Sequence, residues 1–167
     1  MGCFSRCADL LLVLLQCYFI WSCVCVERHY CAAPITAESE GILKMTYDFT
    51  KENNPLFLAR PRWLQIATCI SAYGYAPFYA FFALCFLFKL NVIRLPALVF
   101  LGIKLNALVF YHIMEFTSDM PPPNLGAYWG VEGPYLLSIA LILLRTVPGP
   151  PFETSASALE PNKEKTN

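Results

Sequence analysis

Residues 63–88 read WLQIATCISAYGYAPFYAFFALCFLF, a run of membrane-spanning length without a charged side chain. At about 1.5 Å per residue, a helix of this length crosses a hydrocarbon core about 30 Å thick. Pro77 lies near the middle of the run, where it removes a backbone hydrogen bond to the carbonyl of Tyr73. We therefore expect a transmembrane helix that is kinked there, with local access for a cavity or for water.

Three further runs share this apolar character, at about residues 8–26, 96–116 and 128–147. None alternates apolar and polar residues, so a spanning β-barrel is excluded. The sequence thus predicts an all-α integral membrane protein, a bundle of four transmembrane helices in one domain over residues 8–147. Residues 1–7 precede it, and the polar, Pro-rich tail 148–167 is expected to be disordered.

The first run, 8–26, has an alternative interpretation as a cleaved signal peptide. Its apolar stretch is long for that role, and Pro34 follows Ala33, which makes a poor cleavage site. We favour an uncleaved span.

The overall composition agrees with a membrane protein. Hydrophobic residues make up 57% of the chain and charged residues 14%, against about 45–50% and about 25% in an ordinary soluble domain. The 12 basic and 12 acidic residues cancel, which leaves no electrostatic footprint for nucleic acid. A soluble enzyme and a nucleic-acid binder are therefore excluded.

The loop charges predict the orientation. Lys89 and Arg94 follow the second run and Arg145 ends the fourth, whereas the loop at 117–127 has no Lys or Arg. The positive-inside rule then places both termini in the cytosol, although Arg60 and Arg62 beside the second run argue the other way.

The last residues of the chain suggest a location. Lys163 and Lys165 stand near the C-terminus, and their spacing resembles the dilysine retrieval signal of endoplasmic reticulum membrane proteins. That signal works only on a cytosolic tail, so it agrees with the charge-derived topology. The alternative is a solvated charge cluster without a function.

The loop at 27–62 and the cysteines carry weaker signals. Helix-like spacing of apolar residues over 36–49 predicts a short interfacial helix. The eight cysteines are not spaced as a disulfide framework. We expect those inside the spans to be apolar packing residues and only Cys31, with Cys25 as a second candidate, to face an oxidising lumen. The expected packing cysteines are Cys17, Cys23, Cys69 and Cys85.

The third run contains polar residues that are costly inside a membrane and are therefore candidates for function. Lys104, Tyr111 and Glu115 share one stripe of the helix at 100° per residue, and His112 lies beside it. One interpretation is a polar stripe that faces an internal cavity. The alternative is a snorkelling lysine at one end and interfacial residues at the other.

Four carboxylates fall on the side of the membrane opposite the basic loops, and aromatic residues flank Pro77. A cavity there would be acidic at its mouth and aromatic inside, which suits an amphiphile with a cationic or hydroxyl head. The alternative is solvated carboxylates and aromatic packing. The carboxylates are Glu27, Glu115, Asp119 and Glu132. The aromatic residues are Tyr73, Tyr75, Phe78 and Tyr79.

No catalytic motif, cofactor motif or metal-ligand pattern occurs in the sequence. The chain has two histidines, His29 and His112, on different predicted elements. We therefore expect neither a cofactor nor a metal site.

Several short strings, taken in order, resemble one known family. They are NPL (54–56) with RPRW (60–63), APF (76–78), IRLPA (93–97) and GPYLL (133–137). Their order and spacing are similar to those of the sigma-2 receptor branch of the emopamil-binding protein group, which shares the EXPERA domain. The resemblance covers about residues 8–147.

The resemblance implies a four-helix bundle of the endoplasmic reticulum, often a homodimer, with an occluded pocket for sterols and cationic amphiphiles. It implies sterol or lipid handling through a partner such as a sterol-transport membrane protein. The family's pocket positions correspond here to Glu27, Asn54, Ser71, Tyr75 and Tyr135. Only Glu27 and Tyr135 keep the family's residue type. These departures leave open whether the family's cationic drugs bind here, while a sterol stays compatible.

The enzymatic branch of the same group is a sterol isomerase with a His and a Glu one helical turn apart on its second span. Residues 63–88 contain no His, Asp, Glu or Lys, so we expect no isomerase activity and no enzyme. His112 and Glu115 form an i,i+3 pair on the third run, which leaves an isomerase that uses them as one alternative. A four-span adaptor without a pocket is the other.

Overall fold

The computed structural model describes residues 3–152. Within that range the chain is helical and has no strand, and short helices connect the longer ones. The α-helices are α1 (Cys3–Ser22), α2 (Arg28–Ala32), α3 (Gly41–Asn53), α4 (Pro55–Ala59), α5 (Arg62–Cys69), α6 (Ala76–Phe88), α7 (Arg94–Phe116) and α8 (Leu125–Thr146). A 3₁₀ turn at Asn91–Ile93 precedes α7.

Four continuous helical stretches are long and apolar enough to cross a membrane: Ser5–Ala32, Arg62–Phe88, Asn91–Phe116 and Leu125–Thr146. We call them the first to fourth spans. They confirm the predicted fold class, an all-α bundle with four membrane-spanning helices.

The first span is longer than predicted because a π-helical turn, Cys23–Glu27, joins α1 to α2 without interrupting the helix. Glu27 was expected to follow the span directly. It lies inside the span instead and is only 9% exposed. The span therefore carries a carboxylate within the bundle.

The second span has a π-helical turn of its own at Ile70–Tyr75, close to where a kink was predicted. Pro77 follows it in the first turn of α6, where a missing N–H is tolerated. Local π-helical turns are frequent at functional sites because they shift the side chains that follow them.

The bundle core contains side chains from all four spans. Phe19 of α1, Phe82 of α6, Phe100 of α7 and Ile142 of α8 are each at most 3% exposed and belong to one cluster. Large apolar side chains such as Leu95 are exposed on the outside of the bundle. In a membrane this pattern leaves lipid around the outer face, while close packing holds the helices together.

At one end of the bundle an ion pair joins the start of the first span to the end of the fourth. Arg145 Nε donates to Asp9 Oδ1 over 2.7 Å, and Arg94 Nε donates to the Thr146 carbonyl over 3.1 Å. Phe152 is buried beside them and pairs with Asn91 through two hydrogen bonds of 3.0 Å.

The packed domain therefore extends beyond residue 147, into the segment that we expected to be disordered. Lys163 and Lys165 of the expected retrieval signal lie outside the described residues.

At the opposite end, a disulfide joins Cys31 and Cys69 across 38 residues of chain. The prediction that Cys69 is only an apolar packing residue is wrong. Because the first span continues to Ala32, it carries Cys31 alongside the second span, with the two Cα atoms 5.0 Å apart. Closing a loop of this length stabilises the fold by about 4 kcal/mol in the chain-entropy model.

The predicted interfacial helix forms as α3 but begins at Gly41 rather than at residue 36. Thr36 and Ser39 form a turn instead, with the Ser39 N–H donating to the Thr36 carbonyl over 3.2 Å. Because α3 lies over the disulfide-bonded half of the bundle, its apolar side becomes one wall of a cavity.

Candidate ligand-binding site

A cavity of about 680 Å³ opens into the half of the bundle that contains the disulfide. Its volume falls within the range of about 300–1,000 Å³ found for small-molecule sites. All four spans, α3 and α4 contribute to it. Its apolar walls include Trp21, Val26, Ile42, Met45, Phe49, Phe57, Trp63, Leu64, Ile66, Ile70, Leu108, Phe110 and Val131.

The five positions that the family resemblance singled out all line this one cavity. They are Glu27, Asn54, Ser71, Tyr75 and Tyr135. In the sequence they are spread over more than a hundred residues, and the fold brings them together.

Glu27 has donors on both carboxylate oxygens. Ser22 Oγ donates to Oε1 over 3.2 Å, and Tyr135 Oη donates to the same oxygen over 3.4 Å. Cys23 Sγ lies 3.5 Å from Oε2. Hydrogen bonds of this kind reduce the cost of burying a charged group, so the fold can hold a carboxylate at the cavity wall.

Lys104 enters the same cavity from the third span and is 8% exposed. Its Nζ lies 4.7 Å from the ring centroid of Tyr135, 4.8 Å from that of Tyr75 and 5.8 Å from that of Tyr79. Each distance is within the range of a cation–π contact, about 6 Å. We call these three rings the tyrosine cage.

Asn54 has two hydrogen bonds at the cavity wall. Its side-chain oxygen accepts from the Phe57 N–H over 3.1 Å, which caps α4, and its Nδ2 donates to Tyr111 Oη over 3.4 Å. The position is therefore structural as well as cavity-lining. Ser71 contributes its carbonyl, which lies 3.6 Å from Cys23 Sγ.

The polar stripe expected on the third span is divided between two environments. Lys104 and Tyr111 line the cavity, whereas His112 and Glu115 are not among its lining residues. His112 Nδ1 lies 2.9 Å from Tyr128 Oη. Glu115 is fully buried, and neither of its carboxylate oxygens has a hydrogen-bond partner within the described chain.

Two parts of the site were missed in the sequence. The spacing of Ile42, Met45 and Phe49 predicts an interfacial helix, but the same spacing serves equally well as a cavity wall. The tyrosine cage was also missed, because its rings come from the second and fourth spans while the lysine comes from the third. No local pattern reports a contact between distant segments.

No family model matches the chain, no curated protein matches it, and no solved structure matches it.

Proposed function

We propose that this chain is a multi-pass protein of the endoplasmic reticulum membrane that binds a sterol or a similar amphiphile in its bundle cavity. In this proposal it is not an enzyme and acts on lipid handling through a protein partner. The observation that carries the proposal is the cavity itself, in which apolar walls surround a small group of polar side chains.

The arrangement of apolar and polar side chains in the cavity supports an amphiphilic ligand. An apolar ligand body would contact the aromatic and aliphatic walls, where burial is favourable by about 25 cal/mol per Å². A single oxygen on the ligand head would lie near Glu27, Lys104 and Tyr135, which supply one acceptor and two kinds of donor. A rigid, mostly apolar molecule with one hydroxyl group matches both requirements.

Two features support the proposed topology. The Cys31–Cys69 disulfide lies at the bundle end opposite Asp9 and Arg145, and disulfides persist in oxidising compartments such as the endoplasmic reticulum lumen. The Asp9 end carries the basic loop residues, which favours the cytosol. Both termini would then be cytosolic, where the tail lysines could act as a retrieval signal.

The test is lipid mass spectrometry on the purified full chain, together with crosslinking by a photoreactive cholesterol analogue. We expect a sterol or sterol-like lipid to co-purify and the probe to label residues of the cavity. Glu27→Gln should reduce labelling severalfold, whereas Glu52→Gln, on the exposed surface of α3, should leave it unchanged. A protein that retains no amphiphile and takes up no probe in the cavity would overturn the proposal.

One observation favours a second candidate, a sterol double-bond isomerase. Although the second span lacks an acid or a base, Glu27, Glu132 and Lys104 from the other spans all line the cavity. Such a reaction needs an acid to protonate the alkene and a base to remove a neighbouring proton. Incubation with a sterol that carries a ring double bond distinguishes the two: binding without any shift of the double bond supports the first proposal.

The adaptor alternative depends on a bundle core without a pocket. A cavity of about 680 Å³ beside Tyr75, two residues before Pro77, argues against it.

A further inference from the structure

The ammonium group of Lys104 occupies the place where an amine ligand would be bound. Aromatic cages of this kind recognise quaternary and protonated amines through the negative faces of their rings. Here Tyr75 and Tyr135 face the cavity, and both ring centroids lie within 4.8 Å of Lys104 Nζ. The chain therefore supplies the cation of the cage itself.

The lysine is not held there by a salt bridge. In the part of the chain that the structure describes, no carboxylate oxygen lies within 4.0 Å of Nζ, and Nζ donates no hydrogen bond to a side chain or carbonyl. An ammonium group has three N–H donors. Because Lys104 lines the cavity, an acceptor oxygen on the molecule that occupies the cavity can satisfy these unused donors.

The charged residues near Lys104 indicate which kind of ligand oxygen would accept its hydrogen bond. The charged residues among the described lining of the cavity are Glu27, Glu132 and Lys104. Two carboxylates against one ammonium disfavour an anionic head, because a third negative group would lack a counter-ion. An uncharged oxygen, hydroxyl or ketone, can accept from Lys104 without that cost.

We propose that Lys104 is a specificity-determining residue: it fills the tyrosine cage, keeps a cationic head out of that cage and donates a hydrogen bond to the neutral head oxygen of the bound amphiphile. The inference rests on the proposed function and deepens it, since it names the ligand class. It also distinguishes this site, as one for a neutral head group, from a site that binds a cationic ligand.

The first experiment compares two probes on the unaltered protein: cholesterol and an analogue in which a trimethylammonium group replaces the hydroxyl. Purified full-length chain in detergent is titrated with each. We expect cholesterol to bind at least about tenfold more tightly, the scale of one cation–π contact. Equal or tighter binding of the ammonium analogue would overturn the inference and leave the proposed function standing. Failure of both probes to bind would overturn the proposed function itself.

The second experiment removes the ammonium group from the tyrosine cage. Lys104→Met should weaken cholesterol binding and raise the affinity for the ammonium analogue by about tenfold or more, whereas Lys51→Met, an exposed lysine on α3, should change neither. Lys104→Arg keeps the cation and should still exclude the analogue. The inference would be contradicted if the Lys104→Arg variant bound the ammonium analogue as tightly as the Lys104→Met variant.

A double variant separates the cage from simple removal of positive charge. Lys104→Met with Tyr75→Phe keeps the ring face and should retain the gained affinity for the ammonium analogue. Lys104→Met with Tyr75→Leu removes the face and should lose most of it. If both double variants bind the analogue equally, the carboxylates alone attract it and the cage is not a recognition element.

Discussion

The thiol of Cys23 lies 3.6 Å from the carbonyl oxygen of Ser71, and this contact joins the two π-helical turns of the bundle. Cys23 begins the turn in the first span, and Ser71 lies in the turn of the second. The same thiol lies 3.5 Å from the carboxylate of Glu27. The irregular turns of two neighbouring helices therefore meet at the cavity and position its carboxylate.

Removal of the thiol tests this link. Cys23→Ala leaves a small void and takes one neighbour from Glu27, so we expect sterol labelling to fall about twofold to fivefold, as for the loss of a weak hydrogen bond. Cys85→Ala, a comparably buried free cysteine outside the cavity, is the matched control and should retain full labelling. Equal losses in both variants would mean that general packing, not the link to Glu27, is responsible.

Filling the cavity should block the ligand without disturbing the outer surface. Ala107 lines the cavity, and Ala107→Trp adds a large ring inside it, so crosslinking by the sterol probe should be abolished. Ala140 is exposed on the fourth span, and Ala140→Trp should label normally. Full labelling of Ala107→Trp at the same site would show that the probe binds elsewhere.

The disulfide between Cys31 and Cys69 should contribute measurably to stability. Loss of the link across 38 residues should lower the free energy of unfolding by about 4 kcal/mol. We expect the variant with both cysteines changed to serine to melt at a clearly lower temperature in detergent. Unchanged melting of the double variant, or free thiols at both positions in protein isolated from membranes, would contradict the assignment.

The pair formed by Asp9 and Arg145 should behave as a partly buried salt bridge, since both side chains are less than a fifth exposed. Arg145→Met leaves the Asp9 carboxylate unpaired and should destabilise the protein by about 2–4 kcal/mol. Adding Asp9→Asn should recover part of that loss, which thermal unfolding of the two variants would show. A double variant less stable than Arg145→Met would argue against a direct pair.

The tail lysines test the proposed location independently of the site. Changing Lys163 and Lys165 to serine should move a tagged full chain from the endoplasmic reticulum to later compartments, as microscopy would show. The matched control changes Lys44 and Lys51, two lysines of α3, to serine and should leave the protein in place. An unchanged location of the tail variant would remove the retrieval signal from the proposal.

The four spans were predictable because each depends on a local property of the chain. A run of apolar residues such as 63–88 has to form a helix in lipid, since every backbone N–H and C=O must find its partner within the segment. Hydropathy along the sequence is therefore enough to identify these helices. An orientation can be predicted for the same reason, because that prediction uses only the charged residues close to the ends of each span.

The candidate site, in contrast, depends on features that the hydropathy of the sequence does not show. An extra residue in a helical turn leaves the hydropathy of 8–26 unchanged, so the π-helical turn that places Glu27 inside the bundle has no counterpart in the apolar pattern. The pairing of Cys31 with Cys69 follows from that longer helix.

Lys104 shows the same division most clearly. Its unusual position in a span was visible in the sequence, but a snorkelling and a cavity-facing interpretation both stayed open there. The tertiary structure decided between them, because the rings that surround the ammonium belong to Tyr75 and Tyr135 on two other spans. The sequence by itself determined which segments are long and apolar enough to cross a membrane. Only the packing of those segments decided what faces the cavity, because packing depends on contacts between residues far apart in the chain.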